Sequence, residues 1–230
     1  MQLQAWVRRS GDQRSNGPGL MLNILLLLGA ASAPIEAIQL DAVTFPDRPK
    51  QAFVTARQAA KAFHWKLEFD PVTGLAQLNG DPVPVDQPKL FDGTLLFEVK
   101  DNSIQPRVGK KRVLVDLSRQ EISAWQGALL IMHTRISSGR KLKDTPPGSY
   151  FAGKKEVMHI SGIYGSKMPF SVHLQGNYFV HGSEQTQSGP GSHGCVRLPM
   201  YNDAAKWFFD WVEPGTPIRV QGRRLKYPTK

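Results

Sequence analysis

Thiol chemistry is the first possibility that this sequence raises, because its 230 residues contain one Cys and six His. Cys195 ends the run Ser192-His193-Gly194-Cys195, and another histidine, His181, precedes that run. A free thiol has a pKa of about 8.5 and is mostly protonated at neutral pH, so it becomes a good nucleophile when a nearby imidazole takes its proton. The pattern predicts a Cys–His pair for covalent catalysis, and the plainer interpretation is a small buried cysteine.

Gly194 gives this run its expected geometry. A glycine between His193 and Cys195 permits a sharp turn that exposes the sulfur and directs backbone N–H groups inward. Such donors form an oxyanion hole when they meet the oxygen of a tetrahedral intermediate. We therefore expect the oxyanion site around Gly194 and Cys195.

The segment from His181 to Arg197 resembles the signature of the L,D-transpeptidase family, the YkuD-like catalytic domain. That signature is a His-Gly pair at a strand end, a short loop, and Ser-His-Gly-Cys followed by a hydrophobic residue and Arg, and this segment matches each position. The resemblance extends from about Lys110 to Val220. Three further landmarks follow the family's order, namely an opening strand at 113–117, a Thr-Pro-x-Gly turn at 145–148 and a closing turn at 213–217. The loop before Ser192 is rather short for the family, which leaves the shape of the groove open.

The resemblance implies a role for each matched residue. Cys195 is the nucleophile, His181 is the base, and His193 lies beside the thiol and shapes the oxyanion site. The remaining positions are Ser192, Gly194 and Arg197 for the oxyanion site and the organisation of the loop, and Tyr164 and Gly182 for contact with substrate. The resemblance implies no cofactor and no metal.

The function implied by the resemblance is peptidoglycan L,D-transpeptidation. Cys195 attacks a stem peptide, a thioester forms, and an amine of another stem takes the acyl group to give a 3→3 cross-link in the bacterial cell wall. Carbapenem β-lactams are the expected inhibitors. Two alternatives stay open, namely an L,D-carboxypeptidase in which water is the acceptor, and a catalytically idle cell-wall-binding protein.

Other chemistries fit the residues less well. Zinc would use His181, His193 and Cys195 as three ligands, but a structural site needs four and no fourth His or Cys has the spacing of a ligand pair. Papain-like or NlpC-type peptidases place the cysteine well before the histidine, whereas here His181 comes first. The other four histidines, His64, His133, His159 and His173, are expected to be partly buried structural residues. Two of them, His133 and His173, are also weak candidates for the groove.

The amino terminus predicts export. Arginines precede an apolar stretch at 20–33 that ends in small residues, which is the layout of a secretory signal peptide, with an uncleaved anchor as the alternative for residues 1–33. The formal net charge is +10. The sequence has no basic stripe with interleaved aromatic residues, which is the pattern typical of nucleic-acid binding. The expected partners are therefore peptidoglycan stem peptides and the anionic surface of a bacterial envelope. We expect a periplasmic or envelope location.

Residues 39–99 are predicted to form a small α+β accessory module. Thr55 caps a helix at 56–63, and two alternating segments at 65–69 and 75–78 form a hairpin through the turn at 70–74. This unit resembles the N-terminal-like domain of copper amine oxidases, and it implies no copper here because the segment holds one histidine and no cysteine. Its expected role is as a spacer or wall-binding module, or a purely structural one. A polar linker is predicted at 100–111.

Residues 112–222 are predicted to form the catalytic domain, a mainly β sandwich with one packed helix. Short alternating segments predict strands at 113–117, 121–125, 128–136, 149–152, 156–160, 169–174, 178–181 and 217–220, in an antiparallel sandwich or barrel. The single helix is predicted at 202–211. It begins at the cap-like residues Asn202 and Asp203, presents aromatic residues to the sheet, and Gly215 marks its stop.

Overall fold

The fold is known from a computed structural model that describes residues 37–70, 75–78, 80–82, 88–100, 103–186 and 189–223. The expected signal peptide or anchor at 1–33 and most of the hairpin turn at 70–74 lie outside these residues. No helix in the described part of the chain is both long and apolar enough to cross a membrane. The described residues form a mainly β architecture with two helices, which confirms the predicted fold class.

The helix predicted after Thr55 is confirmed as α1, Ala56–Phe63. The Thr55 side chain accepts a hydrogen bond from the Gln58 backbone N–H at 3.1 Å, and the Gln58 side chain accepts one from the Thr55 backbone N–H, also at 3.1 Å. This capping box satisfies donors that the first turn of a helix leaves without partners. The helix ends at His64, which takes the left-handed conformation with φ of 55°. His64 is exposed, so the expectation of partial burial is wrong there.

Seven short strands surround this helix, and they form three small sheets. They are β1 (Ile38–Ala42), β2 (Phe53–Thr55), β3 (Leu67–Phe69), β4 (Ala76–Leu78), β5 (Asp81–Pro82), β6 (Leu96–Glu98) and β7 (Ile104–Val108). The predicted hairpin corresponds to the antiparallel pair β3 and β4. Strand β7 lies within the predicted linker and pairs in parallel with β1, so that segment is partly regular structure. Its polar composition hid an edge strand whose side chains mostly face solvent.

Nine further strands build the region from residue 111 onward. They are β8 (Lys111–Asp116), β9 (Glu121–Gln126), β10 (Leu129–Arg135), β11 (Gly148–Phe151), β12 (Lys155–Ile160), β13 (Lys167–Gln175), β14 (Tyr178–Ser183), β15 (Val196–Pro199) and β16 (Pro217–Gln221). Eight of these correspond to predicted segments, and β15 was not predicted. A five-stranded sheet has the order β10-β9-β8-β16-β11, and a four-stranded sheet has the order β12-β13-β14-β15. Both sheets are mixed, because β16 pairs with β8 and β15 with β14 in parallel.

The second helix, α2 (Ala204–Trp211), supplies two of the three largest fully buried side chains of the described core. Phe208 and Trp211 are fully buried and belong to one cluster with residues of both large sheets. At its start, Asp203 has φ of 57° and makes no side-chain cap, and the Asn202 side chain accepts a hydrogen bond from the Ala204 N–H at 3.3 Å. The helix ends at Trp211, so Gly215 lies in the turn beyond it.

Two lysines from different sheets meet the carboxyl end of α2. Lys111 Nζ, at the start of β8, donates to the Trp211 carbonyl at 2.9 Å. Lys155 Nζ, at the start of β12, donates to the Val212 carbonyl at 2.8 Å. Burial lowers the pKa of both ammonium groups, yet a cation at this end of a helix is favourable because the last carbonyls lack partners within the helix. These two bonds tie both large sheets to one helix end.

The N-terminal strands and the catalytic region share one core. Val43, Phe53 and Leu90 belong to the same buried cluster as α2 and the two large sheets. Trp207 of α2 packs edge-on against Phe45, with a ring-centroid distance of 6.4 Å, and its indole N–H donates to the Lys89 carbonyl at 3.2 Å. The boundaries at 39–99 and 112–222 stay predictions, and the two parts are packed together.

Candidate active site

The four-stranded sheet carries the candidate site in a groove of about 1180 Å³. This active-site groove is lined by Cys195 and by His159, Tyr164, His181, Ser192, His193 and Arg197, among others. The parallel register of β14 and β15 places His181 opposite Arg197. Residues distant in the chain are thus brought together by the strand that the sequence did not predict.

His181 is a buried and neutral imidazole. It is 5% exposed, and its Nδ1 lies 2.8 Å from the Gly182 carbonyl oxygen. Since a carbonyl only accepts, Nδ1 carries the proton and Nε2 keeps its lone pair. Burial lowers the pKa of His181 to about 4, and the positive charge of Arg197 adds to that effect. The geometry therefore gives His181 the tautomer that a base acting through Nε2 needs.

Cys195 is half-buried, and its thiol is in the protonated form at neutral pH. Its Sγ lies 3.6 Å from the Asn177 carbonyl oxygen, so the S–H bond is directed there. Burial raises the pKa of the thiol, while a hydrogen bond from the Phe179 backbone and the charge of Arg197 oppose the shift. No hydrogen bond joins Cys195 to His181 in the described structure. The resting pair is thus a thiol and a neutral imidazole, and no thiolate–imidazolium pair is preformed.

The turn before Cys195 is held by Ser192 and Gly194. Ser192 Oγ donates to the Cys195 carbonyl at 2.6 Å and accepts from the Gly194 N–H at 3.0 Å. Gly194 has φ of +122°, and a Cβ there would lie 2.6 Å from the Tyr178 ring. Only glycine fits, because both the backbone angle and the space exclude a side chain.

The Gly194 N–H donates to Ser192 Oγ, which fits the loop-organising role expected of Gly194, and its part in the oxyanion site stays a prediction. A donor already bonded to a hydroxyl is not free for a substrate oxygen. Within the described residues, neither the His193 nor the Cys195 backbone N–H has an acceptor outside the strand ladders, so both are candidate donors of this turn.

Thr145 is a buried support that sequence reasoning missed. Its Oγ1 donates to the Gly194 carbonyl at 2.8 Å and accepts from the Gly139 N–H at 2.9 Å. The residue belongs to the Thr-Pro-x-Gly turn that the sequence did indicate, and a threonine in such a turn is one signal that could have identified it. The hydroxyl joins the loop at Gly139 to the turn that precedes Cys195.

His193 lies between an aromatic ring and a cation. Its ring stacks on Tyr164 at a centroid distance of 4.1 Å, and its Nε2 lies 2.8 Å from a guanidinium nitrogen of Arg140. Arginine only donates, so Nε2 accepts and the proton is on Nδ1. Partial burial lowers the pKa of His193, and the charge of Arg140 adds to this. Tyr164, 47% exposed, therefore contacts the turn that precedes Cys195.

Arg197 is fixed by backbone hydrogen bonds, and Gly182 by close packing. Arg197 exchanges two backbone hydrogen bonds with Ser137, which fixes the start of β15. Its buried Nε has no hydrogen-bond partner among the described residues. A Cβ on Gly182 would lie 2.3 Å from the Met200 sulfur. Gly182 thus permits close packing against the segment before α2 and holds His181 through its carbonyl; its contact with substrate stays a prediction.

Neither of the two weaker histidine candidates lines the groove. His133 lies exposed on β10 of the other sheet, where its Nδ1 bonds Ser123 Oγ at 2.9 Å. His173 is half-buried and bonds the Gly176 carbonyl at 2.8 Å. His159, expected to be only structural, does line the groove. Among the described residues, no group of three or more His, Cys, Asp or Glu side chains is arranged to hold a metal ion.

Comparison with known proteins identifies this region. Residues 110–220 match the family model described as the L,D-transpeptidase catalytic domain, YkuD. An L,D-transpeptidase structure from Stackebrandtia nassauensis is 27% identical over 52% of this chain and 59% of its own length, with a TM-score of 0.47. One from Mycobacterium smegmatis is 18% identical over 81% of this chain and 96% of its own, with a TM-score of 0.45.

A third structure, that of LdtMt1 in complex with imipenem, is 19% identical over 84% of this chain and 98% of its own, with a TM-score of 0.45. A search of curated proteins found no match. The matched residues 110–220 coincide with the segment from Lys110 to Val220 on which the resemblance rested. Residues 110–220 of this chain thus match the L,D-transpeptidase catalytic domain family, YkuD.

Proposed function

We propose that the protein is a peptidoglycan L,D-transpeptidase that transfers an acyl group through a thioester on Cys195. The observation that carries the proposal is the groove that contains both Cys195 and a buried His181 whose Nδ1 is committed to a carbonyl. Because Nδ1 donates to that carbonyl, Nε2 of His181 is unprotonated and can accept a proton, as general-base catalysis by histidine requires.

Acylation begins from the neutral pair. The stem peptide displaces the thiol from the Asn177 carbonyl, and His181 Nε2 takes the thiol proton as sulfur attacks the carbonyl of the third stem residue. The C–S bond forms, the C–N bond to the terminal D-alanine breaks, and the proton passes from His181 to the departing amine. Because the low pKa of His181 makes its imidazolium a strong acid, this return of the proton is favourable.

Oxyanion stabilisation is assigned to the turn that ends at Cys195. The backbone N–H of Cys195 meets the developing negative charge, and the half-buried guanidinium of Arg197 adds positive potential near it. The loss of one such donor costs about 3 kcal/mol in enzymes where it has been measured. Ser192 and Thr145 act indirectly, since their hydroxyls hold the turn in place.

The second step transfers the acyl group to the side-chain amine at the third residue of another stem, which gives the 3→3 cross-link. A thioester suits this step because an amine opens it readily. The net charge of +10 suits an anionic wall polymer. Export to the envelope is part of the proposal and follows from the apolar segment at 20–33.

The test incubates the purified protein with disaccharide-tetrapeptide and follows the products by mass spectrometry. We expect cross-linked dimer and released D-alanine from the wild type, and neither product from Cys195→Ala with an unchanged unfolding temperature. Release of D-alanine without dimer would make the protein an L,D-carboxypeptidase. Turnover by a folded Cys195→Ala protein would refute the proposal.

A carbapenem is the second probe, because its strained lactam carbonyl takes the place of the donor carbonyl. LdtMt1 was solved in complex with imipenem, so imipenem is the compound to use. Intact mass should show one adduct per chain on the wild type and none on Cys195→Ala. An adduct that survives this substitution would place the reactive group elsewhere.

A further inference from the structure

His159 and Glu156 form a second acid–base pair, and His159 lines the same groove as Cys195. His159, on the edge strand β12, lines the active-site groove, and its Nδ1 lies 2.5 Å from Glu156 Oε2. The other carboxylate oxygen of Glu156 pairs with Lys154 Nζ at 2.5 Å. Hydrogen bonds from Lys154 and His159 lower the pKa of Glu156, so the carboxylate stays ionised. An ionised carboxylate accepts from Nδ1–H, so the neutral form of the His159 ring carries its lone pair on Nε2.

The pair is coupled to the catalytic residues through Phe179. The His159 ring stacks on the Phe179 ring at 4.7 Å and 29°. The backbone of the same residue bonds the Cys195 thiol, and His181 follows two positions along β14. His159 also contributes to the electrostatic field at His181. Its side chain is 28% exposed, so a proton that it takes up has a path to water.

The transfer step needs a base that the donor step does not. An alkyl amine has a pKa near 10.4 and arrives as an ammonium, which cannot attack a thioester until it loses a proton. The attacking ammonium must lose two protons, and His181 passes only one of them to the Cys195 sulfur, so the other needs a different acceptor. The cations Arg140, Lys143 and Arg197 act on His193 at the catalytic turn and would repel an ammonium. The Glu156–His159 pair supplies an imidazole backed by a carboxylate, the arrangement that orients a general base.

We propose that His159, oriented by Glu156, binds the acceptor ammonium and removes one of its protons; this rests on the proposed transpeptidase function. His159 Nε2 takes the first proton and releases it to water. The amine nitrogen then forms the C–N bond to the acyl carbon as the C–S bond breaks. Its second surplus proton passes through His181 to the Cys195 sulfur, which regenerates the thiol. Thioester and ammonium thus give amide, thiol and one proton.

The decisive experiment compares the two half-reactions in His159→Gln. Acylation is followed as the imipenem adduct on Cys195, and transfer as dimer formed from disaccharide-tetrapeptide. General-base catalysis contributes about 10²- to 10⁴-fold, so we expect the ratio of transfer to acylation to fall at least about 30-fold. Hydroxylamine, which is unprotonated at neutral pH, should be an acceptor that His159→Gln uses nearly as well as the wild type does.

His173→Gln is the matched control. His173 also contacts the Phe179 ring, edge-on at 5.0 Å, but it does not line the groove. Its ratio of transfer to acylation should equal that of the wild type. Glu156→Gln keeps the imidazole without the carboxylate, and we expect a smaller loss in the same direction.

Three outcomes would overturn the inference. One is an unchanged ratio in His159→Gln, and another is an equal loss with the amine and with hydroxylamine. The third is an equal fall in acylation and transfer in a folded His159→Gln protein, because that would place His159 in thiol activation. Failure of the wild type to form an adduct or dimer would instead refute the proposed function itself.

Discussion

Replacing His181 by Gln tests whether the fold really buries a neutral imidazole. In the folded protein the pKa of His181 is lowered from 6.5 to about 4, chiefly because burial disfavours the charged ring. The unfolded chain therefore binds a proton at a higher pH than the folded protein does. The stability that depends on neutral His181 is complete above pH 6.5 and is lost as the pH falls from 6.5 towards 4. Glutamine does not titrate, so the variant lacks this loss.

The size of the effect follows from the width of that window. One pKa unit corresponds to about 1.4 kcal/mol, so the whole shift is worth about 3 kcal/mol, of which about 2 kcal/mol falls between pH 7 and pH 5. Urea unfolding of wild type and His181→Gln at both pH values measures it. We expect the wild type to lose about 2 kcal/mol more than the variant between them. The same loss in both proteins would refute the claim that a neutral buried His181 is part of the fold.

Three other predictions concern the supports of the site. Gly194→Ala should lower the free energy of unfolding by about 2–5 kcal/mol and slow imipenem acylation, because backbone strain at positive φ adds to a clash with the Tyr178 ring. Gly215→Ala is the control, since its φ of +90° brings the strain into open space, and it should cost only about 1–3 kcal/mol. Equal losses in urea unfolding would contradict this. Thr145→Val leaves the Gly139 N–H and the Gly194 carbonyl without their partner, so the free energy of unfolding should fall by about 1–3 kcal/mol for each group and acylation should slow. Thr145→Ser should recover both stability and rate. Wild-type kinetics in the Val variant would show that Thr145 does not support the turn. Deletion of residues 1–109 uncovers Trp207, so the unfolding temperature should fall; an unchanged temperature would show that the catalytic domain is independent.

The sequence predicted local structure well where one segment decides it. Thr55 and Gln58 sit three residues apart before an apolar-periodic run, and the capping box is the direct result. Strand β15 was not predicted because it is four residues long and directly follows Cys195 within the matched motif. Val196 and Leu198 were therefore assigned to the motif, and their alternation as buried residues of a strand was not recognised. Only its pairing with β14 makes it a strand.

The parts of the site that the sequence could not predict depend on tertiary contacts. The pattern indicated Cys195 and His181 as a pair, but burial decides that both are neutral at rest. The Gly194 N–H was expected to be free, and a hydroxyl two residues away occupies it. His159 offered no motif at all, since its position in the groove comes from the fold of β12 against β13 and β14.

The two lysines at the carboxyl end of α2 can show in which order the two large sheets separate from that helix during unfolding. An amine-reactive label modifies a lysine only when its amino group is unprotonated and accessible. The amino groups of Lys111 and Lys155 each donate a hydrogen bond to a carbonyl at the end of α2, so they are protected. Their reaction must wait until the helix end separates from β8 or from β12. If the two sheets come apart together, both lysines will be labelled at one rate, and that rate will follow global unfolding. If the active-site sheet loosens first, Lys155 will be labelled while Lys111 stays protected, and timed labelling read by peptide mass will show which sheet leaves the helix.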